Sequence, residues 1–98
     1  MNQPDFEAAL RAEAFDPALL IEKPVGYSMD LHQHPFDAFA LITAGSLSIS
    51  VHGVETVYQV GDVFRLAANT PHLESALPYG VSYLVGRKPQ RFNCASQP

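Results

Sequence analysis

The clearest pattern along the chain is a strict alternation of apolar and hydroxyl side chains over residues 46–51. Apolar residues occupy every second position and serines the others, as expected for an antiparallel strand with one buried and one exposed face. His52 and Gly53 follow at once and predict a tight hairpin, because glycine accepts a positive φ. Residues 54–60 are then expected to run back as the second strand of that hairpin.

Short apolar segments separated by turn residues fill most of the remaining chain. They predict further strands at residues 18–22, 27–34, 39–43, 63–67, 72–76 and 81–85. Only the beginning has helical spacing, where Phe6, Ala9 and Leu10 predict a short helix over residues 5–13. Many short strands at close spacing indicate an all-β sandwich or barrel with a short N-terminal helix.

The composition restricts the kind of protein. A length of 98 residues allows one domain, and 47% apolar with 16% charged residues is typical of a folded globular protein. A net charge of -4 argues against a nucleic-acid partner, since binding phosphates needs a basic face. Cys94 is the single cysteine, and neither a signal peptide nor an apolar run of bilayer length is evident, so we expect a cytoplasmic protein without a membrane partner.

Three histidines carry the candidate chemistry. His32 and His34 stand at i and i+2, so their side chains share one face of a strand. His72 begins a later predicted strand, and if that strand lies beside the first, three imidazoles converge. Converging imidazoles are typical of transition-metal sites, and we interpret all three as metal ligands rather than core histidines. His52 is excluded because a hairpin tip faces solvent.

The order of these residues resembles the two-motif signature of the cupin superfamily, and in particular small single-domain bacterial cupins. The first motif sets a glycine before a His-x-His pair, then a glutamate and a closing glycine; the second sets a glycine, a proline, another glycine and a histidine. The matching positions are Gly26, His32, His34, Gly45, Gly61 and His72, the last directly preceded by Pro71. The resemblance covers about residues 18–86 and implies a single cupin domain, a jelly-roll barrel (double-stranded β-helix). Residues 87–98 have no strand pattern and are expected to form a flexible tail.

The main departure from the signature concerns the fourth ligand. The family's metal-binding glutamate falls at Ala38, which cannot ligate, and Asp37 stands one residue early. On a regular strand Asp37 would point away from the face of His34, because a shift of one residue changes the side. A bulge at Pro35 would swing it inward. We therefore hypothesise that Asp37 is the substitute ligand.

Other polar residues have plainer interpretations. Ala67 and Asn69 replace the usual proline and glycine of the second motif, and asparagine still tolerates a left-handed turn. Glu74 shares the face of His72 if its strand is regular, but is interpreted as part of a surface ion pair. Arg65 could meet an anionic substrate, although an outward position beside an acid is the preferred interpretation.

The resemblance implies a metalloenzyme of oxygenase, isomerase or lyase type that acts on a small molecule with a divalent Fe, Mn, Ni or Zn ion. The predicted ligands are His32, His34, Asp37 and His72. Few groups could serve as a general acid or base, so two alternatives stay open. One is a non-catalytic module that binds or senses a small molecule, without a DNA-binding domain, and the other is a metal-free structural dimer. A barrel this small also has sheet edges to cover, so we expect a homodimer.

Overall fold

One helix and seven strands form the part of the protein that the computed structural model describes, residues 1–76 and 78–89. The elements are α1 Gln3–Ala12, β1 Leu19–Lys23, β2 Ser28–His32, β3 Phe36–Val51, β4 Val54–Gln59, β5 Val63–Leu66, β6 His72–Ser75 and β7 Val81–Pro89. The predicted all-β class with an N-terminal helix is confirmed. Residues 87–89 belong to β7 rather than to a tail, and Cys94 lies outside the described residues.

β3 organises the fold because its two halves belong to different parts of the sheet. The first half pairs with β5 and β7, the second with β4 and β6, and the strand order is β1-β7-β3-β6-β2. The register shifts between Ile42 and Ala44, where two separate strands were predicted. Gly45 follows with a φ of +69°, and a Cβ there would lie 2.1 Å from the carbonyl oxygen of Gly80. The sequence signal for a turn therefore marks a corner in one long strand.

Alternation along the first half of β3 divides its side chains between two apolar clusters. Alternate residues from Ala38 to Ile42 point into the barrel, whereas Phe39 and Leu41 point outward. Phe6 and Leu10 of α1 cover the outward pair, and the rings of Phe6 and Phe39 pack edge to face at 5.0 Å. Burial of each such side chain stabilises the fold by about 1.5–3 kcal/mol. The predicted apolar face of the helix is confirmed, and no helix of the described residues has the length and apolarity to cross a membrane.

The hairpin between β3 and β4 has the predicted geometry. His52 and Gly53 both adopt positive φ, 51° and 79°, as a two-residue turn of type I′ requires. His52 is exposed at the tip, which agrees with its exclusion from the candidate site.

Candidate metal centre

Three histidines and one glutamate converge inside the barrel. One potential ligand atom from each of His32, His34, His72 and Glu74 lies within 4.8 Å of the other three. His32 and His72 are direct neighbours across β2 and β6, with ring centroids 4.2 Å apart. The ring of His34 lies 4.9 Å from that of His32 and 5.3 Å from that of His72. The structure thus brings the three predicted histidines together, and their role as ligands stays a prediction.

β6 supplies two members of this cluster through simple strand alternation. His72 is 1% exposed and Glu74 lies two residues on, with its side chain 10% exposed, while Leu73 between them is 43% exposed. The interpretation of Glu74 as part of a surface ion pair is therefore wrong. The i, i+2 spacing from His72 was the sequence signal that pointed to the correct face.

Backbone carbonyls orient two of the imidazoles. The Nδ1 atom of His32 donates to the carbonyl oxygen of Asp30 at 2.7 Å, and the Nδ1 atom of His72 donates to that of Thr70 at 2.8 Å. A neutral ring held in this way carries a free lone pair on Nε2. The carboxylate oxygen Oε2 of Glu74 lies 2.9 Å from Nε2 of His72 and 3.3 Å from Nε2 of His32. Two histidine nitrogens and a carboxylate oxygen therefore lie close together.

Tyr27 holds the other oxygen of the glutamate. Its hydroxyl donates to Oε1 of Glu74 at 3.1 Å. Burial, followed by the charge of Glu74 and this hydrogen bond, raises the pKa of Tyr27 well above its usual value. Tyr27 therefore keeps its proton and is a hydrogen-bond donor that orients the carboxylate, leaving Oε2 directed at the histidines.

His34 sits in surroundings that favour its neutral form. Its ring stacks on Phe36 with centroids 5.0 Å apart and an interplanar angle of 17°. Burial, followed by the neighbouring His32 and His72 rings, lowers the pKa of His34 below its usual value. A neutral imidazole is the form that binds a metal.

The donor set fits a divalent transition-metal ion. Three imidazole nitrogens with one carboxylate oxygen are ligands that Zn, Fe, Mn or Ni accept. Contacts this short between histidine nitrogens and Glu74 need a proton on the ring nitrogen or a cation between the groups, and a bound metal ion would take the place of that proton. The carbonyls behind His32 and His72 are also the outer hydrogen-bond partners that metal-bound histidines usually have. These four residues would therefore hold the ion that the fold implies.

The structure does not bring Asp37, the fourth predicted ligand, to this cluster. The register of β3 against β7 runs without a shift from Phe36 to Ile42, so no bulge turns the aspartate inward. Asp37 shares the outer face of β3 with Phe39, and its Oδ1 accepts a hydrogen bond from the backbone N–H of Ala68 at 2.7 Å. Its carboxylate is thus occupied in the loop that leads to β6.

The loop before β6 positions His72 through two contacts with the segment that contains His34 and Asp37. Besides the Asp37 contact, the carbonyl of His34 accepts from the backbone N–H of Asn69 at 2.7 Å. Asn69 has a φ of 63°, which confirms that asparagine replaces glycine in a left-handed turn. Asp37 therefore helps to place His72 without approaching its ring.

A cavity of about 150 Å³ adjoins the cluster. Apolar and aromatic side chains form most of its wall, and Tyr27, Tyr83, Lys23 and Arg87 are polar groups on it besides the cluster residues. Burial, followed by the charge of Glu74, raises the pKa of Tyr83 to about 12. Tyr83 is therefore a neutral hydroxyl that can donate a hydrogen bond to a ligand.

Arg65 does not line this cavity. Its guanidinium donates to both carboxylate oxygens of Glu13, at 2.9 and 2.7 Å, and lies 3.7 Å from the centre of the Phe39 ring. The predicted outward position beside an acid is confirmed, so the cations that can reach a ligand are Lys23 and Arg87.

Comparisons with known proteins agree with this architecture. A family profile described as "Cupin domain" matches residues 19–75, which is more than half of the chain. The chain belongs to the cupin family, as the resemblance implied. No curated protein matches the sequence.

Several solved structures share the fold at low sequence identity. An RmlC-like cupin from Shewanella frigidimarina is 24% identical, with a TM-score of 0.65 over 78% of this chain and 68% of its own. KdgF from a Halomonas species is 23% identical, with a TM-score of 0.63 over 76% and 70%. The DMSP lyase DddQ from Ruegeria pomeroyi is 22% identical, with a TM-score of 0.68 over 80% of this chain but only 40% of the lyase. At these identities the likeness establishes the fold alone.

Proposed function

We propose that this cupin binds a divalent transition-metal ion through His32, His34, His72 and Glu74 and acts on a small molecule in the adjoining cavity. The observation that carries the proposal is the approach of two histidine Nε2 atoms to one carboxylate oxygen of Glu74, at 2.9 and 3.3 Å. Asp37 is left out of the proposed ligand set because its carboxylate accepts from Ala68 instead. Fe, Mn, Ni and Zn all suit the donors.

The reaction class that we propose is that of an oxygenase, isomerase or lyase. A bound ion of this kind supplies a Lewis acid and an open coordination position. Tyr27 keeps the glutamate oriented, and Tyr83 offers a neutral hydroxyl to an oxygen on which negative charge develops. The apolar part of the cavity wall offers a surface for the hydrocarbon part of a ligand. DMSP lyases are among the structural neighbours, so elimination belongs in the first set of reactions to be assayed.

One observation favours a binding or sensing module as the second candidate. Glu74 is the only carboxylate on the described cavity wall, and it already contacts Tyr27 and the histidines. A proton-transfer step would therefore have to use a tyrosine with a raised pKa. A sensor would bind its ligand with metal present and release it unchanged, and product analysis separates the two candidates.

The metal proposal is tested by elemental mass spectrometry of the protein purified from its own source, alongside two variants. His34→Ala removes a proposed ligand, and His52→Ala removes an exposed histidine at the hairpin tip. We expect one bound metal per chain in the wild type and in His52→Ala. In His34→Ala, metal affinity falls by at least about tenfold, as even the loss of an outer partner of a metal ligand typically causes. Full metal content in His34→Ala would overturn the proposed site.

We further propose that the protein is a homodimer. β1 stands at one end of the strand order, and its Leu19 and Leu20 are 50% and 58% exposed. Open strand edges and exposed apolar side chains are features that a second copy can cover. Light scattering at micromolar concentration should give twice the chain mass of 10.7 kDa; a monomeric mass would refute the dimer.

A further inference from the structure

Two cations on the cavity wall are without a carboxylate partner. The guanidinium of Arg87 lies 4.9 Å from the centre of the Phe36 ring, and the ammonium of Lys23 lies 4.9 Å from that of Tyr27. Among the residues that the structure describes, no acidic group lies within ion-pair distance of either cation. By contrast, Arg65 on the outer face is bound by Glu13. The inner cations are thus available to a ligand.

The register of the sheet leaves open space in front of Arg87. Ala38 is its direct partner across β3 and β7, and both residues line the cavity. Directly opposed Cβ atoms lie about 4.5–5.5 Å apart, so an acidic side chain at this position would reach the guanidinium. Alanine provides no such group, and both Ala38 and the exposed Arg87 border the cavity.

Phe36 connects this space with the cluster. Its ring contacts both the Arg87 guanidinium and, in a stacked arrangement, the imidazole of His34. A ligand that lies along Phe36 can therefore touch Arg87 at one end and approach the metal-binding atoms at the other. The cavity volume of about 150 Å³ equals that of engineered apolar cavities that hold benzene, a ligand of about six heavy atoms.

The charges of the residues that line the cavity also favour an anionic ligand. Arg87 and Lys23 are positive, and the single described carboxylate on the wall, Glu74, is engaged by Tyr27 and the histidines. A divalent ion in the cluster would make the site more positive still. Such a site favours an anion, and the planar fork of arginine matches a carboxylate in particular.

From this juxtaposition we infer that the ligand of the cavity is a small organic carboxylate whose acid group pairs with Arg87, in the space opposite Ala38, and whose apolar part lies along Phe36. The inference rests on the proposed function, because it takes the metal-bearing cavity to be the ligand site. Lys23 adds attraction at the cavity wall, whereas Arg87 makes the direct contact.

The test compares butyrate with butyramide, two probes of about six heavy atoms each that differ in charge. Binding to the zinc-loaded protein, which is diamagnetic, is followed by NMR chemical-shift titration. Butyrate is expected to shift resonances of residues around the cavity and to bind at least about tenfold more tightly than butyramide. Arg87→Gln should weaken butyrate binding about tenfold, and Arg87→Lys should recover part of the loss because the charge is kept without the fork. Arg11→Gln changes the net charge equally on the exposed face of α1 and should leave binding unchanged.

The outcomes separate this inference from the metal proposal, because zinc content is measured for every variant. If Arg87→Gln retains its zinc and binds butyrate as the wild type does, the carboxylate inference is wrong while the metal site stands. Equal binding of butyrate and butyramide, or no binding of either, also overturns it. If the wild type takes up no metal and still binds butyrate in an Arg87-dependent way, the carboxylate site stands and the metal proposal fails.

Discussion

Glu74 and Asp37 are two partly buried carboxylates on opposite faces of the barrel wall, and their surroundings differ in kind. Glu74 faces inward, where two imidazole nitrogens and a tyrosine hydroxyl surround it. Asp37 faces outward and accepts from one backbone N–H, that of Ala68. The backbone N–H gives the Asp37 carboxylate a hydrogen bond, whereas two histidine nitrogens this close to Glu74 require either a ring proton or a cation between them and the carboxylate. The difference shows that strand parity, more than proximity in sequence to His34, decides which acid faces the three histidines.

Removing the charge of Glu74 and of Asp37 in turn should produce the largest difference in metal affinity between the two acids. Glu74→Gln keeps the shape of the side chain but removes its charge, and we expect metal affinity to fall roughly 100-fold. Asp37→Asn retains an oxygen that can accept from Ala68, and its metal affinity should stay within about threefold of the wild type. Titration of the metal-free variants with zinc in competition with a chelator measures both. Equal losses in the two variants would contradict the assignment of Glu74 as the ligand.

A second variant tests whether the Tyr27 hydroxyl orients Glu74 on the inner face. Tyr27→Phe removes the hydroxyl that donates to Glu74 at 3.1 Å, so the carboxylate becomes free to rotate away from the histidines. We expect metal affinity to drop about tenfold, as is usual when an outer partner of a ligand is lost. The same zinc titration applies. Tyr83→Phe is the matched control, since Tyr83 lines the same cavity without a described hydrogen bond to Glu74, and a loss as large as that of Tyr27→Phe would count against the orienting role.

Sequence patterns predicted the fold better than they predicted the fourth site residue. The alternation in residues 46–51 and the turn at Gly53 depend on neighbours in the chain, and both are confirmed. The direction of Asp37 depends on whether β3 bulges near Pro35, and that is decided by pairing with β7, far along the chain. The spacing of Glu74 from His72 indicates its direction, although glutamate side chains are in general mostly exposed. Contacts between distant segments, such as that of Ala38 with Arg87, carry no local sequence signal.

The outer acid should matter for stability rather than for the metal. Asp37→Ala leaves the N–H of Ala68 without its acceptor, and we expect the free energy of unfolding to fall by about 1 kcal/mol. Asp37→Asn should lose much less, because its amide oxygen can still accept. Urea unfolding of the metal-free proteins measures the difference, and it keeps bound metal from adding stability of its own. If alanine and asparagine destabilise equally, the carboxylate charge is acting on its surroundings in some way other than through Ala68.

The smallest expected effect is a pH dependence of the stability of the metal-free protein, caused by His34 on the inner face. Burial lowers the pKa of His34 in the folded protein below the ordinary value of 6.5. At pH values between the folded-state pKa and 6.5, the unfolded chain therefore binds more protons at this residue than the folded protein does. The contribution of His34 to the stability of the chelator-treated protein should therefore rise with pH through the window just below 6.5, and fall again as the pH is lowered through it. The change is small because the ring is only half-buried. Chemical unfolding at a series of pH values should show a reduced slope in His34→Gln, and a slope equal to that of the wild type would contradict the role of His34.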